Sequence, residues 1–397
     1  MRRTRLSWIA MATIALVSAM EGGDAQAFTF RDPLASQAAP SGQFSGVILA
    51  GGQRVFAGSE VNPSSFALTA TLYATSGNPG APVTQTSLGL SGNDSVAITV
   101  AEKPGGGYWA TATENLVSFE ARSYIFSSDA LGSPVPVIGP APASDPDIAL
   151  NAINRDGVAV GTLGVSTPVI STPAGVVSVL PYPHAAVLLG VDSTGDQLAG
   201  AAEPSAGAEM VATIFDSSGS VVYQDDEPGL IWDIDGLYAV GERNGNAAYW
   251  EKTGSVWLPS YVKTQGGLNV PGALFTIDHR GYGLGGGVRD VGRPILIDLP
   301  TLSWFEFEGH LGVPAGTLWR VLGIDVVPDT GRVAIAIEAT DFSGWDMTAT
   351  VEARPVPEPR SIMMLSAGVA ALFVLARHRA HVQRSGTPRG ETCSPEP

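Results

Sequence analysis

Along most of this chain, apolar and polar residues alternate in short runs and are interrupted every few residues by Gly, Pro, Asn, Asp or Ser. Such runs lie at Ser45 to Leu49, Phe66 to Tyr73, Val96 to Val100, Val158 to Val160, Val211 to Phe215, Ile295 to Ile297 and Val333 to Ile337. A period of two bounded by turn residues predicts half-buried β-strands. Between residues 28 and 354 no helical apolar period lasts more than two turns. Asp145 to Asn154 could form one short helical turn. Thr75 to Val83 and Gly132 to Pro146 read as loops. The body is therefore expected to be all-β.

A repeat runs through this pattern. Ile153-Asn154-Arg155-Asp156-Gly157-Val158-Ala159-Val160-Gly161 is its clearest copy. Val191 to Gly200, Ile234 to Gly241 and Ile277 to Gly285 follow, with a looser copy from Ile324 to Ile335. Each begins with an apolar residue and an Asn or Asp, turns through a Gly, and continues as a small-apolar strand. The turn glycines stand at 157, 195, 236, 281 and 331, spaced by 38, 41, 45 and 50 residues. An Asn or Asp side chain closes such a turn on the backbone two residues on, while Gly takes positive φ. A second strand pair follows some copies, as in Ala247 to Trp257. Two hairpins in about 40 to 50 residues are the mark of a propeller blade. The copies resemble the glycine-centred N-x-x-G-x-V-x-G units, with a later Y-W, of extracellular bacterial repeat proteins, which implies a propeller-like fold. Weaker copies at Gly51 to Gly58 and Gly92 to Val100 bring the expectation to a six- or seven-bladed β-propeller. A β-sandwich is the main alternative and a β-solenoid the next.

Both ends break the pattern. Arg2, Arg3 and Arg5 precede an apolar run from Leu6 to Met20, and Ala25-Gln26-Ala27 is an A-x-A cleavage signal. Residues 1–27 therefore read as a signal peptide, with Phe28 the first residue of the mature chain. At the other end Ser361 to Ala376 is uncharged. As a helix it measures roughly 24 Å, a little short of a bilayer core of about 30 Å. Snorkelling of Arg377 and Arg379 would cover the difference. Together with Arg384 they form a basic stop-transfer cluster that favours a cytoplasmic C-terminus. Pro359 sets the helix to begin after it.

Val356-Pro357-Glu358-Pro359, the apolar run and the basic cluster together resemble the PEP-CTERM sorting signal of Gram-negative bacteria. The resemblance covers about residues 355–384. It implies processing by an exosortase in the inner membrane and delivery to the cell surface or an exopolysaccharide matrix, in the setting of a biofilm. A polar tail, residues 385–397, continues past the basic cluster. A simple C-terminal membrane anchor at 361–376 is the alternative.

Composition narrows the function of the body, residues 28–354. It carries 14 Lys and Arg against 33 Asp and Glu, a net charge of −19. That surface repels phosphate backbones, so nucleic acid is not an expected partner. The sole cysteine, Cys393, lies in the tail, so no disulfide supports the body. His184, His279 and His310 lack metal-ligand spacing. No G-x-S-x-G elbow or cysteine nucleophile is present. The densest acidic group, Asp225-Asp226-Glu227 with Asp233 and Asp235, is the candidate cation site. Asp225, Asp226, Asp233 and Asp235 could offer carboxylates to calcium, or a pair of them could hydrolyse glycosides. The plainer reading is a solvated loop before a hairpin cap, with no cofactor. Seven tryptophans, six of them from Trp232 onward, could stack on matrix sugars or pack between strands. The expectation is a non-enzymatic, surface-sorted protein that acts by interaction, with extracellular polysaccharide as the candidate partner. The alternative is a secreted carbohydrate-active enzyme.

Overall fold

Every first strand of the repeat carries one residue too many. In the computed structural model, register shifts interrupt the first strand pair of each sheet. They fall between Gln43 and Ser45, Ala97 and Thr99, Leu150 and Ala152, Leu188 and Gly190, Ile231 and Asp233, Leu274 and Thr276, and Val321 and Gly323. Such a bulge bends a strand and increases its twist. The structure describes residues 28–30, 43–48, 53–61, 67–75, 84–90, 95–114, 121–139, 147–263, 267–277, 282–285, 295–300, 302–306, 318–327, 332–340 and 346–355.

Among these lie 27 strands, those from Gln43–Ile48 onward in antiparallel pairs, and one short helical turn at Ser128–Ala130. No described helix is long and apolar enough to cross a membrane. The expected helix at 361–376 lies outside the described residues, as do the signal peptide, residues 1–27, and the sorting motif Val356 to Pro359.

The strands make six hydrogen-bonded sheets. Five have four strands. The other has seven, because the fifteen-residue strand Val221–Asp235 ends one four-stranded set and begins the next. Seven four-stranded sets result, hereafter called the first to seventh sheets in the order of their first strands. The first begins at Gln43–Ile48, the second at Val96–Glu102, the third at Ile148–Ile153 and the fourth at Ala186–Val191. The fifth begins in the latter half of Val221–Asp235, the sixth at Leu274–Ile277 and the seventh at Leu318–Val327. The seventh takes its outermost strand, Phe28–Phe30, from the other end of the body. Each first strand packs beside the first strand of the next set, and Leu318–Val327 packs beside Gln43–Ile48.

The core lies between consecutive sheets, face to face. Val55, Ala57 and Leu72 of the first meet Ala97, Ala112 and Phe126 of the second. Ile125 of the second meets Leu150 and Val169 of the third, and Val160 of the third meets Leu188 and Phe215 of the fourth. Ala199 and Ile214 then meet Ile231 and Trp250, and Val240 and Tyr249 meet Leu274 and Ile297. Residues Phe28–Arg354 cluster as one compact unit.

The repeat signature has a physical reading at two points. Asn154 accepts from the N–H groups of Asp156 and Val158 at 3.0 Å each, and Gly157 turns with φ of 78°. Asp192 does the same for Gln197 at 3.1 Å, with Gly195 at 77°. The last glycine of each copy, Gly161, Gly200, Gly241 or Gly285, sits opposite the bulge. There the bent strand brings a carbonyl so close that a Cβ would not fit. Of the expected helical turn at Asp145 to Asn154, the described residues, 147–154, form no helix. Ile148–Ile153 is a strand, and its bulge at Asn151 breaks the alternation that would have announced it.

Candidate functional site

The long strand Val221–Asp235 carries all four acidic residues singled out by the sequence, and it splits them between two environments. Asp225 lies in the half that belongs to the fourth sheet, and its side chain has no exposure. Arg243, from the second strand of the fifth sheet, donates from Nε to both carboxylate oxygens at 3.0 Å, and its Nη2 lies 2.9 Å from Oδ1. Trp250 Nε1 and Tyr223 Oη donate to Oδ2, both at 3.0 Å. The N–H groups of Asp226 and Glu227 donate to Oδ1 at 2.8 and 3.1 Å. Burial alone would raise this carboxyl. The Arg243, Trp250 and backbone donors outweigh it and hold the group at about 2. A carboxylate so fully bonded has no lone pair left to take a substrate proton or attack a carbon.

The same guanidinium reaches further. Arg243 Nη2 donates to Asp226 Oδ1 at 2.7 Å, and Nη1 lies 3.2 Å from Glu227 Oε1. Tyr261 lies with its ring under the guanidinium, 5.4 Å away, and donates to Glu227 Oε2 at 2.6 Å. Asp226 is exposed, so its pairing adds little, whereas the Asp225 contact is dry. With Trp250 fully buried beneath it, this group fastens the fourth sheet to the fifth.

Asp233 and Asp235 lie at the far end of the strand, on the fifth sheet. Asp233 lies eight positions after Asp225, up to about 26 Å along the extended chain. Asp233 retains some surface, but its carboxyl is enclosed by protein. It accepts from Thr276 Oγ1 and the Ile277 N–H at 3.0 Å, joining the fifth sheet to the sixth, and from the Ile234 N–H at 2.9 Å. Burial pushes it up to about 7 despite these donors, and Asp235 adds to the rise. Asp235 in turn accepts from the Ser193 N–H of the fourth sheet at 3.4 Å. Asn154 Nδ2 reaches the Asp192 carbonyl at 3.0 Å, and Asn151 Nδ2 the Leu188 carbonyl at 2.8 Å. The repeat's Asn and Asp side chains thus bridge one first strand to the next.

Because the Asp233 carboxyl sits above its unfolded value of about 4, its favourable contribution is full below that pH and is lost as pH rises through about 7. Asp233→Asn mimics the protonated form. We expect it to flatten the slope of stability between pH 4 and 7, read from urea unfolding midpoints, while its amide nitrogen gives up one of the backbone donors that the carboxyl accepts.

Among the described residues no group of three or more His, Cys, Asp or Glu side chains is placed to hold a metal ion. The structure brings Asp225 and Asp226 together around Arg243 and keeps Asp233 and Asp235 apart from them. Trp250 and Trp257 are buried. Trp109 is partly buried with the Lys103 ammonium 4.8 Å from its ring, and Trp232 is partly buried against Phe275, ring centres 5.6 Å apart. His184 lies edge-on to Tyr182. His279, His310, Ala25, Ala27, Val356, Pro357, Glu358, Pro359, Arg377, Arg379 and Arg384 lie outside the described residues. Phe28 opens the first described strand.

Sequence reasoning missed Arg243, Tyr223, Tyr261 and the role of Trp250. One signal was available: with only 14 cations in the body, an arginine such as Arg243 is a natural centre for an acidic group.

No family model matches the chain, and no curated protein is similar to it. Solved structures are similar in part. An α-L-arabinofuranosidase from Fusarium graminearum, complexed with an iminosugar inhibitor, is 8% identical with a TM-score of 0.43; the match covers 84% of this chain and 98% of that one. A Trypanosoma rangeli sialidase in complex with sialic acid is 10% identical with a TM-score of 0.36, over 86% of this chain and 60% of that one, so this chain spans less than two thirds of the sialidase. A structural-genomics protein of unknown function from Bacteroides thetaiotaomicron is 10% identical with a TM-score of 0.39, over 82% and 73% of the two chains.

Proposed function

We propose that this chain is an exported, non-enzymatic seven-bladed β-propeller of the cell envelope or extracellular polysaccharide matrix, delivered by its PEP-CTERM tail and processed there by an exosortase. The cyclic succession of first strands supports the propeller, since each four-stranded set packs on the next as a blade does. One observation carries the non-enzymatic reading. The Asp225 carboxylate at the centre of the densest acidic group is committed to Arg243, Trp250, Tyr223 and backbone donors, so it binds sheet to sheet. Export rests on the A-x-A leader. Sorting rests on the three-part tail of motif, apolar run and arginines.

Sorting has a direct test. Cells expressing the wild-type chain are fractionated beside a variant with Pro357, Glu358 and Pro359 all changed to alanine. The wild type is expected at the surface or in the matrix, shortened at its C-terminus. The variant is expected in the inner membrane at a higher mass. Equal size and equal location for both would overturn the sorting reading.

A further inference from the structure

The residue that a bulge adds does not follow its neighbour into the core. Ala97, Leu150, Leu188, Ile231 and Leu274, each just before a bulged residue, are at most 1% exposed. The bulged residues that follow them, Ile98, Asn151, Leu189, Trp232 and Phe275, all keep some surface. A bulge re-aims a side chain, and these five recur on first strands that pack beside one another in succession. They also reach from sheet to sheet. Asn151 Nδ2 meets the Leu188 carbonyl, and the Trp232 ring meets the Phe275 ring at an interplanar angle of 58°. Ile98, Leu189 and Phe275 occupy their positions without a polar atom. Trp232 differs, because its Nε1–H is enclosed and has no hydrogen-bond partner. An enclosed donor without a partner is costly, so packing alone does not account for an indole where its counterparts are plain hydrocarbon.

We propose that Trp232 and Phe275 form a subsite for one residue of a neutral polysaccharide chain. The C–H face of the sugar ring lies on the aromatic pair, and the indole turns to donate its Nε1–H to a hydroxyl or ring oxygen. An indole suits this role because it joins an apolar face to one polar edge. Binding supplies the acceptor that the donor lacks in the free protein, so a cost carried by the free state is recovered in the complex. Charge selects the class of sugar. The body carries a net charge of −19, which repels chains bearing uronate or phosphate and leaves neutral ones as the fitting partner. The inference rests on the reading of this chain as a protein of the polysaccharide matrix, and it names the ligand class and the residues that hold it.

Cellohexaose, laminarihexaose and mannohexaose are titrated into the exported protein by calorimetry, with polygalacturonate as the anionic control. At least one neutral hexamer is expected to bind saturably, and polygalacturonate is expected not to bind. Trp232→Phe keeps an aromatic ring and removes the donor, so it is expected to weaken binding about tenfold, as loss of one hydrogen bond does. Trp109→Phe, at another partly buried tryptophan, is expected to bind as the wild type does. Oxidative footprinting of the wild type, read by mass spectrometry, decides the matter even if the Trp232 variant fails to fold. The bound hexamer is expected to protect Trp232 from oxidation several-fold and to leave Trp109 unprotected. Failure of all three hexamers to bind, unchanged affinity in Trp232→Phe, or binding without protection of Trp232 overturns the proposal. The fractionation described above reads sorting without any sugar, so a correctly sorted protein that binds no hexamer overturns this inference alone.

Discussion

Gly200→Ala is expected to cost about 3 kcal/mol or more of folding stability, although alanine suits a strand better than glycine does. A Cβ at Gly200 would stand 1.9 Å from the Val187 carbonyl oxygen, far inside any tolerable contact. The obstacle is backbone, held in place by the bulge of Ala186–Val191, so no side chain can swing away. The same collision recurs at Gly161 with the Ala149 carbonyl, also at 1.9 Å, at Gly241 with the Leu230 carbonyl at 2.0 Å, and at Gly285 with the Ala273 carbonyl at 2.2 Å. None of these glycines needs positive φ, so the requirement is purely one of space. Gly132→Ala is the control, because nothing lies within 4 Å of its built Cβ. It is expected to change stability by less than about 0.5 kcal/mol. Urea unfolding followed by tryptophan fluorescence checks both. A Gly200→Ala variant as mild as Gly132→Ala would mean that the bulge yields freely.

Arg243→Met is expected to cost about 3–5 kcal/mol at neutral pH, because it strands the Asp225 carboxylate without a cation in a dry site. The pH dependence carries the sign. In the wild type Asp225 lies well below its unfolded value, so its contribution is full above about pH 4 and is lost as pH falls toward 2. Without Arg243, burial dominates and raises the carboxyl, so protonation relieves the variant. The gap between wild type and variant should therefore be widest at pH 7 and narrow below pH 4. A gap that widens on acidification would show that Arg243 acts through its packing on Tyr261 and not through Asp225. Adding Asp225→Asn to Arg243→Met should cost less than the two single changes together, since one network is broken in both.

These two sites also show what the sequence could reveal. The hairpins were legible at Asn154 and Asp192 because their chemistry is local: a side-chain oxygen, two backbone N–H groups and a glycine, all within six residues. The all-β character was legible for the same reason. The strand at Ile148–Ile153 was not, because its buried residues Ile148, Leu150 and Ile153 are spaced by two and then three across the bulge. That spacing matches neither a strand nor a helix. The acidic group was visible as a concentration of charge, but its meaning depended on Arg243 and Trp250, 18 and 25 residues away. Nothing in the local sequence says that Asp225 faces an indole. The glycine opposite each bulge was legible as a letter of the repeat, while its cause, a carbonyl from the neighbouring strand, became visible only in three dimensions.

The strand Val221–Asp235 has a bearing on how the protein comes apart. Repeat units that touch only through side chains can open one at a time, each with its own free energy. Here the last strand of the fourth sheet and the first strand of the fifth are a single stretch of backbone, pinned at Asp225 a third of the way along it. Fraying of one sheet therefore pulls register out of the other. Ala186 to Tyr261 should behave as one double-sized cooperative segment, with matched amide exchange rates across both sheets, while the remaining sheets exchange at rates of their own.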